Sequence, residues 1–386
     1  MDALTEFDRR FDLNQDQRSM QDMVSDFARE KVAPFAVQWD QDCHLPLDVI
    51  RQTAELGMGG IYVREDVGGS ALSRLDAAVI FEALAKGCPA TSAFISIHNM
   101  AAWMIDLYGS EEQRQRVLPQ LTSMDKIASY CLTEPGSGSD AAALKTTAVR
   151  DGDHYVLNGT KQFISGAGSN DLYVVMARTG EAGPKGISCF LVEKDAPGLS
   201  YGAQEKKMGW NIQPTAQVIF DDCRIPAENR LNDEGMGFRI AMAGLDGGRL
   251  NIGACSLGGA QAALDMALAY SSERKAFGKE IGQFQAIQFK LADMATELEA
   301  ARLMLYSAAA KLDAKSPDAG KACAMAKRFS TDIGFNVANE ALQIHGGYGY
   351  LAEYGVEKIV RDLRVHQILE GTNEIMRVII ARNLTA

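Results

Sequence analysis

The hydrophobic pattern changes twice along the 386 residues, and this change limits the possible folds more than any other feature of the sequence. Up to residue 129, apolar residues recur mostly at helical spacing. From 130 to 232, short runs rich in Val, Ile, Phe and Tyr are separated by Gly, Pro, Asn and Asp, as in strands. Helical spacing returns from 233 to 386. The sequence therefore predicts an α+β fold with an N-terminal helical domain (1–129), a middle antiparallel β-domain (130–232) and a C-terminal helical domain (233–386).

The C-terminal region has the longest helical pattern. Apolar residues between Gln283 and Lys311 are spaced by three, four and seven positions, and such a helix would be roughly 45 Å long. Similar patterns occupy 240–270, 320–342 and 371–384. We therefore expect a four-helix bundle, with the glycine-rich run HGGYGYL joining its third and fourth helices.

Composition excludes several classes of partner. The net charge is −11, so the chain has no basic field for nucleic acid or an anionic membrane surface. The uncharged stretch from Gly87 to Ile105 contains Pro89, His98 and Asn99, and we interpret it as a buried helix rather than a membrane span. The first residues have neither an apolar signal segment nor the acid-poor composition of a transit peptide. We expect bacterial cytoplasm, or the mitochondrial matrix for a mature eukaryotic chain.

Common nucleotide and metal signatures do not occur in the sequence. There is no G-x-x-x-x-G-K-[ST] run, and no G-x-G-x-x-G run lies between a strand and a helix. None of the five histidines forms H-E-x-x-H or another paired ligand spacing, so we expect no metal site. A Rossmann-type dinucleotide site is not expected either.

Two runs are candidates for ligand binding or chemistry. The run from Tyr130 to Asp140, YCLTEPGSGSD, is a loop whose exposed amides and hydroxyls can bind an anionic or carbonyl-rich ligand, although it can also be a serine-rich turn. The run from Ile368 to Arg377 places Glu370 after an apolar pair and before Gly-Thr. A carboxylate there can have a raised pKa and act as a general base, or it can simply cap a helix, which Thr372 could also do.

Two further runs contain clustered cations or glycines. ERKAFG, from Glu273 to Gly278, can hold a pyrophosphate or can balance the dipole at a helix end. QIHGGYG, from Gln343 to Gly349, allows close approach of a backbone or can be a helix C-cap.

Together, the four runs resemble the acyl-CoA dehydrogenase family over essentially the whole chain, including its three-part order. The resemblance implies an FAD-dependent enzyme that binds its cofactor without a Rossmann unit. Further runs, such as LADMAT and RVHQILEG, match members that act on a short branched acyl-CoA. The residues that the resemblance implies for FAD binding are Tyr130, Cys131, Leu132, Thr133, Gly138, Ser139, Phe163, Ile164, Ser165, Arg274, Phe284, Gln285, Gln343, Ile344, His345, Gly346, Gly347, Thr372, Asn373 and Glu374.

Glu370 matches the catalytic base of the family, which removes the α-proton of the acyl thioester while the β-hydrogen leaves as hydride. Some members carry the base on an earlier helix, just before an arginine, where this chain has Gly248 before Arg249. The alternative base is therefore absent. Gly247 and Gly248 would leave room for an α-methyl branch, or they would serve only close helix packing. The positions that match substrate contacts in the family are Ser139, Asp246, Gly247, Gly248, Arg249 and Arg382.

The resemblance also implies partners. The expected reaction is oxidation of isobutyryl-CoA to methacrylyl-CoA in valine breakdown, with electrons passing to electron-transferring flavoprotein. Alternatives are the same chemistry on 2-methylbutyryl-CoA or butyryl-CoA, an acyl-CoA oxidase, or a helical binding protein that has lost catalysis. In the family, Arg274 and the run from Gln343 to Gly347 reach the FAD of a neighbouring subunit. A homotetramer, a dimer of dimers, is therefore expected.

Overall fold

The computed structural model describes residues 13–385, so the first 12 residues of the predicted N-terminal domain and Ala386 lie outside the described residues. The part of the domain that is described is helical. Its α-helices are α1 Gln15–Phe27, α2 Ala36–Gln41, α3 Leu47–Gln52, α4 Arg74–Ala85, α5 Pro89–Tyr108 and α6 Glu111–Thr122.

Local sequence signals explain where these helices begin and end. Ser73 forms a capping box with Asp76 at the start of α4, and Pro89 occupies the first turn of α5. Gly109 ends α5, as its position in the sequence predicts. The uncharged stretch that could be mistaken for a membrane span lies mostly in α5, and most of its side chains are buried against other helices and the sheet.

The middle region forms one eight-stranded sheet. The strands are β1 Ala128–Cys131, β2 Thr147–Asp151, β3 His154–Ser165, β4 Leu172–Arg178, β5 Ile187–Glu193, β6 Leu199–Tyr201, β7 Thr215–Pro226 and β8 Arg230–Leu231. Their order is β6-β7-β3-β2-β4-β5-β8, and β1 adds to β4.

The sheet is mixed, whereas the sequence predicts antiparallel strands throughout. β1 and β2 both run parallel to β4, and the other pairs are antiparallel. Strand composition shows where strands occur but not their direction, which depends on how the chain returns to the sheet. Here β1 comes directly from α6 and pairs with a strand that follows the β2–β3 hairpin. This arrangement brings the end of β1 next to the helical domains.

The C-terminal region is helical, as expected, with one addition to the predicted four helices. Three are long and two are short: α7 Gly237–Glu273, α8 Gln285–Asp313, α9 Ala319–His345, α10 Val356–Arg364 and α11 Asn373–Thr385. A minor two-stranded pair, β9 Lys275–Ala276 and β10 Lys279–Glu280, joins α7 to α8. The additional helix, α10, has only nine residues, too few for its periodicity to stand out beside the glycine-rich run that precedes it.

Among residues 13–385, α7 is long and apolar enough to cross a membrane by length and composition alone. Its most apolar 18-residue window has a mean hydropathy of 1.2, and 67% of that window is buried inside the protein. Helices α4, α5, α8 and α9 all pack against α7. This burial is typical of the central helix of a core.

Candidate active site

The turn between α10 and α11 presents Glu370. Glu370 has φ of +57° and Gly371 has φ of +86°, so two successive residues adopt left-handed backbone conformations. Such a conformation is unfavourable for a residue with a side chain and needs support from its surroundings. The Glu370 carbonyl accepts a hydrogen bond of 3.3 Å from Arg249 Nε on α7. The turn therefore directs the carboxylate toward α7.

The carboxylate of Glu370 occupies the space left by a glycine. A Cβ atom at Gly248 would lie 2.5 Å from Glu370 Oε2 and 3.0 Å from Met100 Sδ on α5. Any side chain at position 248 would therefore displace the carboxylate. Position 248, where other members of the resembled family carry the base, lies against Glu370 in this chain.

Glu370 has the electrostatics of a group that can exchange a proton near neutral pH. Its Oε2 atom is buried and has no hydrogen-bond partner. Burial raises the pKa of Glu370 to about 7, while the nearby cations of Arg249 and Lys327 lower it in part. An unpartnered buried carboxylate oxygen is rare in a folded protein and is typical of a binding or catalytic site.

A second unpartnered polar atom belongs to the same site. The hydroxyl of Tyr130, at the end of β1, is buried without a hydrogen-bond partner. Burial, and secondly the charge of Glu370, raise the pKa of Tyr130 well above its usual value. β1 thus brings the predicted cofactor loop to the predicted base, although the two are 240 positions apart in sequence.

The predicted substrate residues differ in their surroundings. Asp246 pairs with Arg249 at 2.6 Å, and burial raises the pKa of Asp246 above its usual value. Gly247 faces Arg74, whose Nη1 would lie 2.3 Å from a Cβ atom at that position. Arg382 is exposed near the end of α11, and its predicted role stays a prediction.

A buried ion pair between Glu134 and Lys161 anchors the loop after β1. Glu134 accepts hydrogen bonds from Lys161 Nζ at 2.8 Å and from the backbone N–H groups of Lys145 and Thr146. Lys161 also donates to the carbonyl of Leu132. These contacts position the end of β1 and the loop after it. The predicted cofactor residues there are Tyr130, Cys131, Leu132, Thr133, Gly138 and Ser139, of which Gly138 and Ser139 are exposed.

The end of β3 presents an exposed aromatic ring beside this loop. Phe163 has φ of +59° and is 64% exposed, at a register shift between Lys161 and Ile164. The preceding residue, Gln162, donates its backbone N–H to the carbonyl of Thr133. Ile164 is buried, and the carbonyl of Ser165 accepts a hydrogen bond from Ser129. An exposed phenyl ring on strained backbone is suited to stacking against a planar ligand.

A cleft of about 360 Å³ lies at the C-terminal end of α7. His345 stacks on Tyr270 at its base, with ring centroids 4.4 Å apart, and Arg274 lies 5.4 Å from the centre of the Tyr348 ring. Ile344 also lines the cleft, and three more predicted cofactor residues are close to it in the chain: Phe284, Gln285 and Gln343. Added Cβ atoms at Gly346 and Gly347 would meet nothing within 4 Å, so the backbone there is open to a ligand.

Arg249 and Arg274 lie far apart along α7. Arg249, beside Glu370, and Arg274 are separated by 25 helical positions, or about 38 Å at 1.5 Å per residue. The structure therefore brings together Tyr130, Gly248, Arg249 and Glu370. It places Arg274 and the run from Ile344 to Gly347 in a separate cleft, which Gln343 does not line.

Thr372 caps α11, and Asn373 and Glu374 are the first two residues of that helix. The hydroxyl of Thr372 accepts a hydrogen bond from the N–H of Ile375, so its predicted N-cap is confirmed. Asn373 is buried and bonded to side chains of α9, whereas Glu374 is exposed. Lys327 on α9 is not among the predicted site residues, yet it is fully buried and donates to the carbonyl of Gly371 at 2.8 Å. The sequence signal that could have identified Lys327 is its position after the uncharged, mostly small-residue run ACAMA on a helix.

No group of three or more His, Cys, Asp or Glu side chains that could hold a metal ion occurs within residues 13–385. The fit with FAD rests on other features of the described residues. Two unpartnered polar atoms, an exposed phenyl ring and an open glycine backbone beside an arginine suit a flavin and its charged tail.

Family models match the chain in three consecutive segments. The model described as Acyl-CoA dehydrogenase, N-terminal domain, matches residues 14–125; the middle-domain model matches 129–223; and the C-terminal-domain model matches 235–385. Two relatives are mitochondrial isobutyryl-CoA dehydrogenases. The one from Dictyostelium discoideum is 61% identical over 374 residues, 97% of this chain and 90% of the relative. The one from Bos taurus is 57% identical, covering 96% and 89%.

Solved structures share the whole fold. A chain from work on the electron-transferring flavoprotein of Acidaminococcus fermentans has a TM-score of 0.95 at 42% identity, covering 97% of this chain and 99% of that one. Butyryl-CoA dehydrogenase from Megasphaera elsdenii gives 0.94 at 39%, covering 97% and 100%. A glutaryl-CoA dehydrogenase from Mycobacterium smegmatis, solved with FADH2, gives 0.91 at 29%, covering 97% and 95%. The chain is an FAD-dependent enzyme and belongs to the acyl-CoA dehydrogenase family.

Proposed function

We propose that this enzyme oxidises isobutyryl-CoA to methacrylyl-CoA, with Glu370 as the base that removes the α-proton. The observation that carries the proposal is the buried, unpartnered Oε2 atom of Glu370, held against the backbone of Gly248. The two relatives named isobutyryl-CoA dehydrogenase, at 57% and 61% identity, support this choice of substrate.

The site favours proton transfer for a physical reason. The α-proton of a thioester is much less acidic than a carboxylic acid, so a base of ordinary pKa would be poorly matched to it. Burial brings the pKa of Glu370 to about 7, which makes the carboxylate a stronger base that is still ionised at mildly alkaline pH. The proton moves from the α-carbon to Glu370 as the β-hydrogen leaves as hydride. When bound, FAD supplies the acceptor for that hydride.

The residues that would hold FAD lie in two groups. Phe163, Ile164 and Ser165 would pack along the flavin ring, with Thr133 near its reactive edge and the loop to Ser139 around it. Arg274 and the open backbone at Gly346 would hold the pyrophosphate and adenosine end. The remaining members of the two groups are Tyr130, Cys131, Leu132, Gly138, Phe284, Gln285, Gln343, Ile344, His345, Gly347, Thr372, Asn373 and Glu374.

Because Arg274 lies about 38 Å along α7 from Arg249, which is beside Glu370, we propose that each FAD binds across two subunits. The cleft at Arg274 of one chain would then serve the flavin of a neighbour, which requires at least a dimer and agrees with a dimer-of-dimers tetramer. Exposed aromatic residues near that cleft support an interface: Phe277 is 96% exposed and Tyr350 is 84% exposed.

Two further assignments follow from the relatives. We propose electron-transferring flavoprotein as the electron acceptor and valine breakdown as the pathway, which fits the isobutyryl-CoA substrate. The two relatives are named mitochondrial. We propose the matrix for a eukaryotic chain and the cytoplasm for a bacterial one.

The test is anaerobic reduction of the purified holoenzyme by isobutyryl-CoA, followed by bleaching of flavin absorbance. The wild-type protein should bleach, and Glu370→Gln should retain FAD while its rate falls by about 10³-fold. Glu297→Gln, an exposed carboxylate on α8, is the control and should behave as wild type. Comparison of kcat/KM for isobutyryl-, 2-methylbutyryl- and butyryl-CoA ranks the substrates. Absence of bleaching by all three, or normal rates in Glu370→Gln, would contradict the proposal.

The shared cofactor site is tested separately. Arg274→Gln should lower flavin content although the residues around Glu370 are unchanged. Hybrid oligomers of Arg274→Gln and Glu370→Gln chains should then regain activity, because one chain supplies an intact base and its neighbour supplies an intact cleft. Hybrids with no more activity than the two parents would show that each chain binds its FAD alone.

A further inference from the structure

The turn that carries Glu370 is held by two buried cations, one on each side. Arg249 on α7 donates to the carbonyl of Glu370, and Lys327 on α9 donates to the carbonyl of Gly371 at 2.8 Å. Each of the two residues in left-handed conformation therefore has its carbonyl bound by a positive charge. This arrangement opposes relaxation of the turn to an ordinary backbone conformation.

Lys327 is itself held in place by the start of α11. Its Nζ atom also donates to Asn373 Oδ1 at 2.9 Å. The Asn373 amide group donates to Asp332 Oδ1 at 2.7 Å and to Thr331 Oγ1 at 3.0 Å, which directs Oδ1 toward Lys327. Gln367 also donates to Asp332. The ammonium group thus lies in a prepared site that links α9, the turn and α11.

The charged groups around Glu370 come from several elements. Helix α5 contributes the uncharged Met100, whose Sδ lies near the carboxylate. The titratable or charged side chains that face the site or lie next to it are Arg249 and Asp246 on α7, Lys327 and Asp332 on α9, Tyr130 on β1, and Glu374 on α11.

Among these groups, only Arg249 and Lys327 are cations that act on Glu370, and both favour its charged form. Arg249 is already paired with Asp246, which offsets part of its charge. Burial lowers the pKa of Lys327 to about 8, while the charge of Glu370 raises it in part. The lysine is therefore mostly charged at neutral pH.

We propose that Lys327 is a positioning residue for the base: its two hydrogen bonds hold the left-handed Glu370–Gly371 turn in place, and its charge favours the carboxylate form of Glu370. The proposal rests on the proposed function, because it assumes that Glu370 is the base. Lys327 acts through Glu370 and the turn, and it is assigned no contact with the substrate.

The experiment measures the pH dependence of flavin reduction by isobutyryl-CoA in FAD-loaded variants. In wild type, the rate should rise with pH through about 7, as Glu370 loses its proton. In Lys327→Met, this rise should move up by about one pH unit, because a stabilising positive charge is lost. The limiting rate should fall about tenfold or more with KM changed by less than about threefold, because the turn is less well held. In Lys327→Arg, which keeps the positive charge, the rise should occur at the same pH as in wild type.

Lys358→Met is the matched control. Lys358 is also a buried helical lysine, but it pairs with Asp362 and donates to Cys88. Its replacement should lower thermal stability and leave the pH profile unchanged. An unshifted profile in FAD-loaded Lys327→Met would overturn the proposal, as would equal shifts in the two variants.

Two safeguards keep the result interpretable. If Lys327→Met does not fold, Lys327→Gln replaces it, since an amide keeps a hydrogen-bond donor and loses the charge; an unshifted profile in that variant would equally overturn the role of the charge. Failure of the proposed function appears differently, as wild-type enzyme that is not reduced by any of the acyl-CoA substrates.

Discussion

Glu134 and Glu370, each with a carboxylate oxygen shielded from solvent, have opposite surroundings. Glu134, beneath the cofactor loop, accepts hydrogen bonds from the Lys161 ammonium and from two backbone N–H groups. Burial raises the pKa of Glu134, but these partners lower it more, so the net pKa is below its usual value. Glu370 has one oxygen without any partner, and burial raises its pKa to about 7.

The difference shows how one residue type can serve structure in one place and chemistry in another. Because both carboxylate oxygens of Glu134 accept hydrogen bonds, this residue is a fixed negative charge that anchors a loop. Because Oε2 of Glu370 has no hydrogen-bond partner, this carboxylate can take up a proton. The following predictions test this comparison.

The largest expected effect concerns the buried ion pair of Glu134 and Lys161. Lys161→Met should lower the free energy of unfolding by about 3–5 kcal/mol, because it leaves the Glu134 carboxylate buried without its cation. Thermal unfolding of the holoenzyme measures the effect. Lys194→Met, which breaks an exposed pair with Asp171, is the control and should cost less than about 1 kcal/mol. Equal losses in the two variants would remove the distinction between a structural and a surface ion pair.

The next effect concerns the space in front of Glu370. Gly248→Ala should reduce kcat by about 100-fold, because the new Cβ atom would lie 2.5 Å from Glu370 Oε2 and must displace the carboxylate. Gly320→Ala on α9, where the nearest atom is 3.9 Å from the added Cβ, should leave kcat unchanged. Steady-state kinetics with isobutyryl-CoA measure both variants. Wild-type kcat in Gly248→Ala would mean that the position of the carboxylate is not critical.

The reactive glutamate should also make stability depend on pH. The folded-state pKa of Glu370, about 7, is above its ordinary value of 4.5, so between these pH values the folded protein keeps a proton that the unfolded chain has lost. Its contribution to the free energy of unfolding is therefore fully present below pH 4.5 and is lost as pH rises through about 7.

Glu370→Gln should consequently be more stable than wild type at pH 8, by about 1–3 kcal/mol, and of similar stability at pH 5. Thermal unfolding of the two holoenzymes at both pH values measures the difference. A difference that is the same at pH 5 and pH 8 would show that the raised pKa is wrong.

The smallest effect concerns the helix that follows the turn. Thr372→Ala should lower the free energy of unfolding by about 1 kcal/mol, because it removes the N-cap of α11. Thr372→Ser keeps the hydroxyl and should recover most of that loss. If Ala and Ser behave alike in thermal unfolding, the capping hydrogen bond does not contribute to the stability of the turn.

The sequence predicts much of the fold because periodicity is a local property. It identifies the helical, β and helical regions, the end of α5 at Gly109 and the cap at Thr372. It does not predict the short helix α10, nor the parallel pairing of β1 with β4. The former is too short for a clear pattern, and the latter depends on how distant segments return to one sheet.

For the site, the sequence identifies the individual runs but not their arrangement. It selects Glu370 and the Tyr130 loop as separate candidates. The contact of Glu370 with Gly248, the support from Lys327 and the separation of Arg274 from Glu370 along α7 appear only in three dimensions. Lys327 is overlooked because a single lysine in a helix is ordinarily a solvent-exposed residue.

The sequence by itself determined the order of the three regions and the identity of the motifs, because these depend on neighbouring residues and on the chemistry of their side chains. Only the tertiary structure decided which carboxylate has all its hydrogen bonds and which keeps an unpartnered oxygen. That outcome depends on burial and on partners from remote segments: Lys161 for Glu134, and Gly248, Arg249 and Lys327 for Glu370. The electrostatics of each glutamate is a property of the packed molecule.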